Sequence, residues 1–148
     1  MQSVEKTIYV KAPIDVFYRV ITDYECYPDF IQEMVRVQVL SRQAQQVEVL
    51  YVLKAVIKEI QYTLHLTEQP KNRLSWTLVE GQMMKINEGF WNLEPVSPTE
   101  TKATYHLEIG LKSLLIPQSV VNTLVHVTLP KTMDAFKQRA ESLVLNKS

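Results

Sequence analysis

The sequence is poor in cysteine and glycine and has no long apolar run, and each shortage excludes a class of protein. Its one cysteine, Cys26, cannot form a disulfide within the chain, which is typical of a reducing compartment. Its three glycines are too few for a glycine-rich phosphate-binding loop. No stretch approaches the roughly 20 apolar residues of a membrane span, and the polar N-terminal residues lack the apolar core of a signal peptide. We therefore expect a cytoplasmic, soluble protein with no integral membrane segment.

Net charge is also absent, because 16 basic residues balance 16 acidic ones. Binding to nucleic acid usually needs a net basic face, so we expect no nucleic-acid partner. Of the 148 residues, 46% are hydrophobic and 22% are charged, which is typical of a globular chain with a buried core. No linker, repeat or low-complexity tract divides the chain. We therefore predict one domain over residues 1–148.

One apolar series recurs at helical spacing in residues 117–145. Its members lie three or four residues apart and share one stripe of a helix: Val121, Val125, Leu129, Met133, Phe136, Ala140 and Leu143. Pro130 interrupts this stretch, removes one backbone hydrogen bond and crowds the preceding turn. We therefore expect a kink or a short break near Leu129. A helix this long and one-sided needs a large apolar partner surface.

Most of the remaining sequence alternates apolar and polar residues, which is the pattern of half-buried strands. Residues 2–11 alternate, Pro13 then opens a short helix, and residues 23–30 form a loop or a second short helix. From residue 34 to residue 111, strands follow one another across short turns, which favours an antiparallel meander. The predicted fold is α+β: a curved antiparallel sheet of six or seven strands wraps around the C-terminal helix, with two short helices after the first strand.

The predicted inner face of the sheet mixes large aromatic residues with small ones: Tyr62, Trp76, Trp91 and Tyr105 share it with Gly89 and Ala103. A kinked helix would not seal such a sheet evenly along its length. Both features are compatible with a ligand-sized cavity and also with a solid core. Tyr27 and Phe30 could form a lid over a cavity, or they could anchor the N-terminal helices to the sheet, and anchoring is the simpler interpretation.

Three segments carry a resemblance to a known family. Residues 10–13 (Val-Lys-Ala-Pro), with the apolar residues of the next helix, are similar to the family's first strand and helix. Residues 23–30 (Asp-Tyr-Glu-Cys-Tyr-Pro-Asp-Phe) resemble its Asp-x-x-x-Tyr-Pro-x-Phe loop. Residues 89–95 (Gly-Phe-Trp-Asn-Leu-Glu-Pro) look like its aromatic hairpin near the end of the sheet. The family is the START-like, helix-grip superfamily of polyketide cyclase/dehydrase proteins, nearest its coenzyme Q-binding and ribosome-association branch. Residues 79–85 lack the Gly-Pro-Phe common in the coenzyme Q-binding proteins.

The resemblance implies a domain that binds a hydrophobic small molecule or lipid between the concave sheet and the last helix. The ligand could be a quinone, an acyl chain or a polyketide-like ring. The predicted ligand-binding residues are Tyr62, Trp76, Asn87, Trp91, Tyr105, Leu107, Val125, Leu129, Met133 and Phe136. In the predicted register Lys6, Lys85 and Asn87 turn inward and could meet a polar group of the ligand, whereas a shift of one residue would place them in water.

The sequence gives no reason to expect a metal, a cofactor or a catalytic residue. The three histidines, His65, His106 and His126, fall on two predicted strands and the last helix, without the spacing of metal ligands. Cys26 has no neighbour that would activate it as a nucleophile.

Two other functions stay open beside a carrier. An enzyme of the aromatase/cyclase or dehydratase kind would need an acid or base inside the cavity. Only Tyr62, Tyr105 and Asn87 are polar candidates there, and an unaided tyrosine with a pKa near 10 is a poor base. The other alternative is a protein-interaction module, ribosome-directed as in one related branch.

Overall fold

The computed structural model describes residues 2–54, 58–112 and 117–145. Their elements are, in chain order, β1 (Gln2–Val10), α1 (Ile14–Thr22), a 3₁₀ helix (Tyr24–Asp29), β2 (Met34–Gln43), β3 (Gln46–Lys54), β4 (Glu59–Gln69), β5 (Arg73–Gly81), β6 (Met84–Ser97), β7 (Glu100–Leu111), α2 (Gln118–Thr123), a π-helical segment (Leu124–Thr128) and α3 (Leu129–Leu145). The predicted single domain over residues 1–148 also includes residues 1, 55–57, 113–116 and 146–148, which lie outside the described ranges.

The strands form one antiparallel sheet of seven strands in the order β1-β7-β6-β5-β4-β3-β2. From β2 to β7 each strand pairs with the next one in the chain, and β1 pairs with β7 along its whole length. The curved sheet and the long C-terminal helix confirm the predicted α+β, helix-grip fold. The main core lies between the concave face of the sheet and α3, since Trp91, Leu93, Met133, Phe136 and Ala140 are all buried.

Gly89 on β6 lies opposite Leu107 and close to the backbone of β7. A β carbon added at this glycine would lie 2.0 Å from the carbonyl oxygen of His106, so no larger residue fits without moving the backbone. The pairing of β5 with β6 runs from Arg73 opposite Asn92 to Trp76 opposite Gly89 and stops there. The two strands therefore separate beyond Gly89, which helps to bend the sheet around its contents.

The two helices after β1 are fixed to the sheet by buried apolar and polar contacts. The carbonyl of Pro13 accepts the backbone N–H groups of Val16 and Phe17, so the proline starts α1 as predicted. The hydroxyl of Tyr24, in the 3₁₀ helix, donates to Oε2 of Glu68 at 2.6 Å. Arg42 holds the same carboxylate with two hydrogen bonds of 2.9 and 3.2 Å. The 3₁₀ helix is thereby tied to both β2 and β4.

The C-terminal helix covers the predicted residues and contains the predicted irregularity. Over Leu124–Thr128 the helix widens into a π-helical segment, and the N–H of Leu129 donates to the carbonyl of Leu124 five residues earlier. Pro130 has no N–H to donate to the preceding turn, which is the physical reason for a break at this point. The far end of α3 is fastened by Glu141, which accepts the backbone N–H of Lys11 at 2.8 Å.

Candidate functional site

A cavity of about 560 Å³ lies between the concave sheet and the C-terminal helix. Every residue predicted to bind the ligand lines it: Tyr62, Trp76, Asn87, Trp91, Tyr105 and Leu107 from the sheet, and Val125, Leu129, Met133 and Phe136 from the helix. The interior is therefore not filled solid by its aromatic residues. The cavity has the size that small-molecule sites usually have.

Aromatic rings form the deep wall of this cavity. Trp91 on β6 and Tyr105 on β7 are opposite each other in the strand register, and their rings meet edge to face at 4.9 Å between centroids. Trp76 lies 5.5 Å from Tyr105 on one side, and Phe136 reaches Trp91 from α3 at 5.7 Å. These contacts fix the rings in place and leave large apolar surfaces facing the cavity.

Asn87 is the buried amide of the wall, and a neighbouring indole holds it in position. The Nε1–H of Trp76 donates to Oδ1 of Asn87 at 3.1 Å. The Nδ2 group of Asn87 points toward Sδ of Met84 at 3.8 Å, a weak acceptor. The orientation of Asn87 is therefore fixed. Its Oδ1 acceptor is occupied by Trp76, and its Nδ2 group makes only a weak hydrogen bond.

The sequence left Lys6 and Lys85 either facing inward or lying in water, and the structure places both in water. The register of β6 against β7 shifts between Met84 and Ile86, so Met84 and Asn87 both face inward while Lys85 turns outward. Lys6 is exposed for a different reason. It lies opposite Tyr105 on β1, an edge strand, and its long side chain reaches water past the sheet edge.

Four tyrosines are among the hydrogen-bonding residues that line the cavity, namely Tyr27, Tyr51, Tyr62 and Tyr105. Tyr51 on β3 and Tyr62 on β4 are opposite each other in the register, and their rings stack at 5.1 Å. Burial raises the pKa values of Tyr51, Tyr62 and Tyr105 well above the ordinary value for tyrosine, so all three hydroxyls stay protonated. Tyr51 was absent from the predicted site, although it shares the buried alternation of β3 with Val47 and Val49.

Tyr27 and Phe30 serve as anchors. The hydroxyl of Tyr27 donates to the carbonyl oxygen of Ile21, which joins the 3₁₀ helix to α1. Both rings contact Phe136 on α3 edge to face, at 5.1 Å for Tyr27 and 5.4 Å for Phe30. The Tyr27 ring also lies 6.3 Å from the ring of Tyr51 on β3, which supports the anchoring interpretation. Tyr27 also lines the cavity, which the sequence did not indicate.

Charge is confined to other surfaces of the described chain. Among the described residues that line the cavity, none is aspartate, glutamate, lysine, arginine or histidine. His65 and His106 lie on the outer face, beside Gln46 and Glu5 respectively, and His126 is exposed on the π-helical segment. Within the described ranges no three His, Cys, Asp or Glu side chains come together as metal ligands.

A second depression of about 750 Å³ lies at the turn between β5 and β6. It is lined mainly by polar and charged residues, including Gln61, Glu80, Lys85 and Lys112, and it is more open to solvent. An apolar ligand would gain less from burial there than in the inner cavity. The inner cavity is therefore the better candidate site.

The comparisons with known proteins agree with this geometry. The family model described as polyketide cyclase / dehydrase and lipid transport matches residues 10–137. No curated protein matches the chain. In the part of the chain that the structure describes, no helix is long and apolar enough to cross a membrane.

Solved structures share the fold at low sequence identity. A START superfamily protein from Mycobacterium smegmatis is 22% identical with a TM-score of 0.83, covering 95% of this chain and 98% of that one. The Zhui aromatase/cyclase from Streptomyces sp. R1128 is 17% identical with a TM-score of 0.84, covering 97% and 95%. A STAR-related lipid transfer protein from Xanthomonas axonopodis is 16% identical with a TM-score of 0.72, covering 93% and 85%. The resemblance to the START-like superfamily is confirmed, while the coenzyme Q-binding branch stays a prediction.

Proposed function

The chain belongs to the polyketide cyclase / dehydrase and lipid transport family, and we propose that it is a carrier that binds a hydrophobic small molecule or lipid in its inner cavity. The observation that carries this proposal is the 560 Å³ cavity lined mainly by apolar and aromatic side chains. The ten predicted contact residues surround it, from Tyr62 on β4 to Phe136 on α3.

Apolar burial is the driving force that such a cavity can supply. A ligand that removes about 300 Å² of apolar surface from water gains roughly 7 kcal/mol at about 25 cal/mol per Å². Ordering of the ligand and of nearby side chains then reduces this gain. Met133 and Met84 on the wall can adapt to ligands of different shape. Quinones, acyl chains and polyketide-like rings are the ligand classes that this surface favours.

Binding without chemistry is favoured over a cyclase or dehydratase reaction. Acid–base catalysis needs a group with a pKa near the working pH, positioned against the substrate. The ionisable groups among the described lining residues are tyrosines, and burial raises the pKa values of Tyr51, Tyr62 and Tyr105. They can donate hydrogen bonds to a ligand, but a neutral tyrosine that holds its proton this firmly is a poor base.

Extraction of the purified protein with organic solvent, followed by mass spectrometry, tests the proposal together with a matched pair of variants. Val125→Trp would place an indole in the cavity, because Val125 is buried on its wall. Val127→Trp is the control, since Val127 is 60% exposed on the same π-helical segment and does not line the cavity.

We expect the unmodified protein and Val127→Trp to retain or take up a hydrophobic compound, and Val125→Trp to lose it while remaining folded. The carrier proposal fails if the unmodified protein retains nothing and binds no member of a panel of quinones, acyl esters and polycyclic aromatics. It also fails if Val125→Trp binds as well as Val127→Trp does.

A further inference from the structure

Three tyrosine hydroxyls on the cavity wall have no hydrogen-bond partner within the described part of the chain. They belong to Tyr51 and Tyr62, which are 4% and 8% exposed, and to Tyr105, which is half-buried. Tyr24 and Tyr27, by contrast, donate to Glu68 and to the carbonyl of Ile21. All three residues line the cavity, where water or a bound molecule can serve as the partner.

The three tyrosines come from different parts of the cavity wall. Tyr51 and Tyr62 are neighbours on β3 and β4, whereas Tyr105 lies on β7, three strands away from β4. Curvature of the sheet brings them onto the wall of one cavity, since all three residues line it. The cavity therefore offers neutral donors from two directions.

The lining offers no charge to a ligand. Because no Asp, Glu, Lys, Arg or His occurs among the described lining residues, an ionised carboxylate or ammonium would lose its water without gaining a counter-charge. The flat faces of Trp76, Trp91 and Tyr105 favour a ring system over a flexible chain, because their contacts already hold them in place.

We infer that the ligand is an uncharged ring compound with at least two oxygen acceptors, such as ring carbonyls, which the hydroxyls of Tyr62 and Tyr105 bind from different sides. Tyr51 supports the Tyr62 ring through stacking and offers a further donor. This inference rests on the proposed carrier function and narrows its ligand, because it disfavours free fatty acids and other ionised lipids.

Three probes of similar shape test the inference: anthracene, 9,10-anthraquinone and anthracene-2-carboxylate. Their dissociation constants are measured by quenching of tryptophan fluorescence in the unmodified protein, in Tyr62→Phe and in Tyr105→Phe. Tyr9→Phe is the matched control, because Tyr9 is 52% exposed on β1 and lies outside the cavity.

We expect anthraquinone to bind more tightly than anthracene, and the carboxylate to bind most weakly. Tyr62→Phe and Tyr105→Phe should each weaken anthraquinone binding by about 2- to 12-fold, the factor for one neutral hydrogen bond, and leave anthracene binding unchanged. Tyr9→Phe should change neither.

The inference is overturned if the carboxylate binds as tightly as anthraquinone, or if both cavity variants bind anthraquinone normally, which would mean that the hydroxyls serve only water. In either case anthracene still binds, and the carrier function survives. If none of the three probes binds and extraction also yields no hydrophobic compound, the carrier function itself has failed.

Discussion

The indole Nε1–H of Trp76 donates a hydrogen bond to Oδ1 of Asn87 over 3.1 Å inside the cavity wall. Trp76 comes from β5 and Asn87 from β6, beyond the point where the pairing of these strands stops at Gly89. This side-chain contact therefore bridges the two strands where their backbones have separated.

Replacement of Asn87 by leucine should destabilise the protein by about 1–3 kcal/mol, because the indole N–H would be buried without an acceptor. Asn92→Leu is the matched control on the same strand. Asn92 accepts from Arg73 at 3.0 Å on the outer face, where water can replace it, so its loss should cost less than about 1 kcal/mol. Urea unfolding measures both values, and equal losses would contradict the importance of the Trp76 contact.

Gly89 should tolerate no side chain. Gly89→Ala would place a methyl group 2.0 Å from the carbonyl oxygen of His106, and we expect a loss of at least about 3 kcal/mol because backbone must move. Gly110→Ala is the comparison, since its β carbon would lie in ordinary contact, 3.5 Å from Cβ of Ile86, and should cost less than about 1 kcal/mol. Similar unfolding midpoints for the two variants would show that the bend at Gly89 can relax.

Because of the contact between Glu141 and Lys11, the free energy of unfolding should decrease as the pH falls into the acidic range. Burial alone would raise the pKa of Glu141, but hydrogen bonds from the Lys11 backbone and the Lys137 ammonium outweigh it and hold the pKa below its ordinary value. Since the folded-state pKa is lowered, this stabilisation is present above the unfolded value of about 4.3 and is lost as the pH falls through the folded value.

We therefore expect Glu141→Gln to cost about 0.5–1 kcal/mol near neutral pH, and the difference from the unmodified protein to vanish in strong acid. Glu94→Gln is the control, because Glu94 is 67% exposed and lies 3.9 Å from Lys102. Its stability should follow that of the unmodified protein at every pH. A Glu141→Gln deficit that persists unchanged in acid would show that the carboxylate charge contributes nothing.

At alkaline pH the protein should unfold in a single transition, and the buried tyrosines should ionise in that same transition. Burial raises the pKa of Tyr18 to about 12 and those of five further tyrosines, namely Tyr24, Tyr27, Tyr51, Tyr62 and Tyr105, above the ordinary range. The unfolded chain loses these protons near pH 10, so stability is present below about pH 10 and falls as the pH rises above it. Phenolate absorbance and circular dichroism should therefore change together. Gradual ionisation of several tyrosines before the loss of helix signal would contradict this expectation.

The fold and the composition of the cavity wall could be predicted because both follow from local periodicity. Apolar residues alternate along β6 and β7, and successive side chains of a strand point to opposite faces. This alternation places one set of residues on the same face of the sheet, namely Trp91, Leu93, Ala103, Tyr105 and Leu107. The same reasoning along α3 places Met133 and Phe136 toward the sheet. The break before Pro130 followed from the chemistry of proline itself.

Where periodicity is interrupted, the sequence left the orientation of the side chains open. The shift between Met84 and Ile86 reverses the parity of β6, so Lys85 turns out to water while Asn87 stays inside. Tyr51 was missed for another reason: its place beside Tyr62 depends on the register between β3 and β4, which no local pattern states.

The sequence by itself determined the strands, the long helix and most of the side chains that share one face of each element, since alternation and helical spacing are properties of neighbouring residues. The tertiary structure decided that the aromatic rings leave a 560 Å³ space between them, and that Tyr51, Tyr62 and Tyr105 line it without a hydroxyl partner among the described residues. The curvature, strand register and bulges that set these distances arise from contacts between residues far apart in the chain.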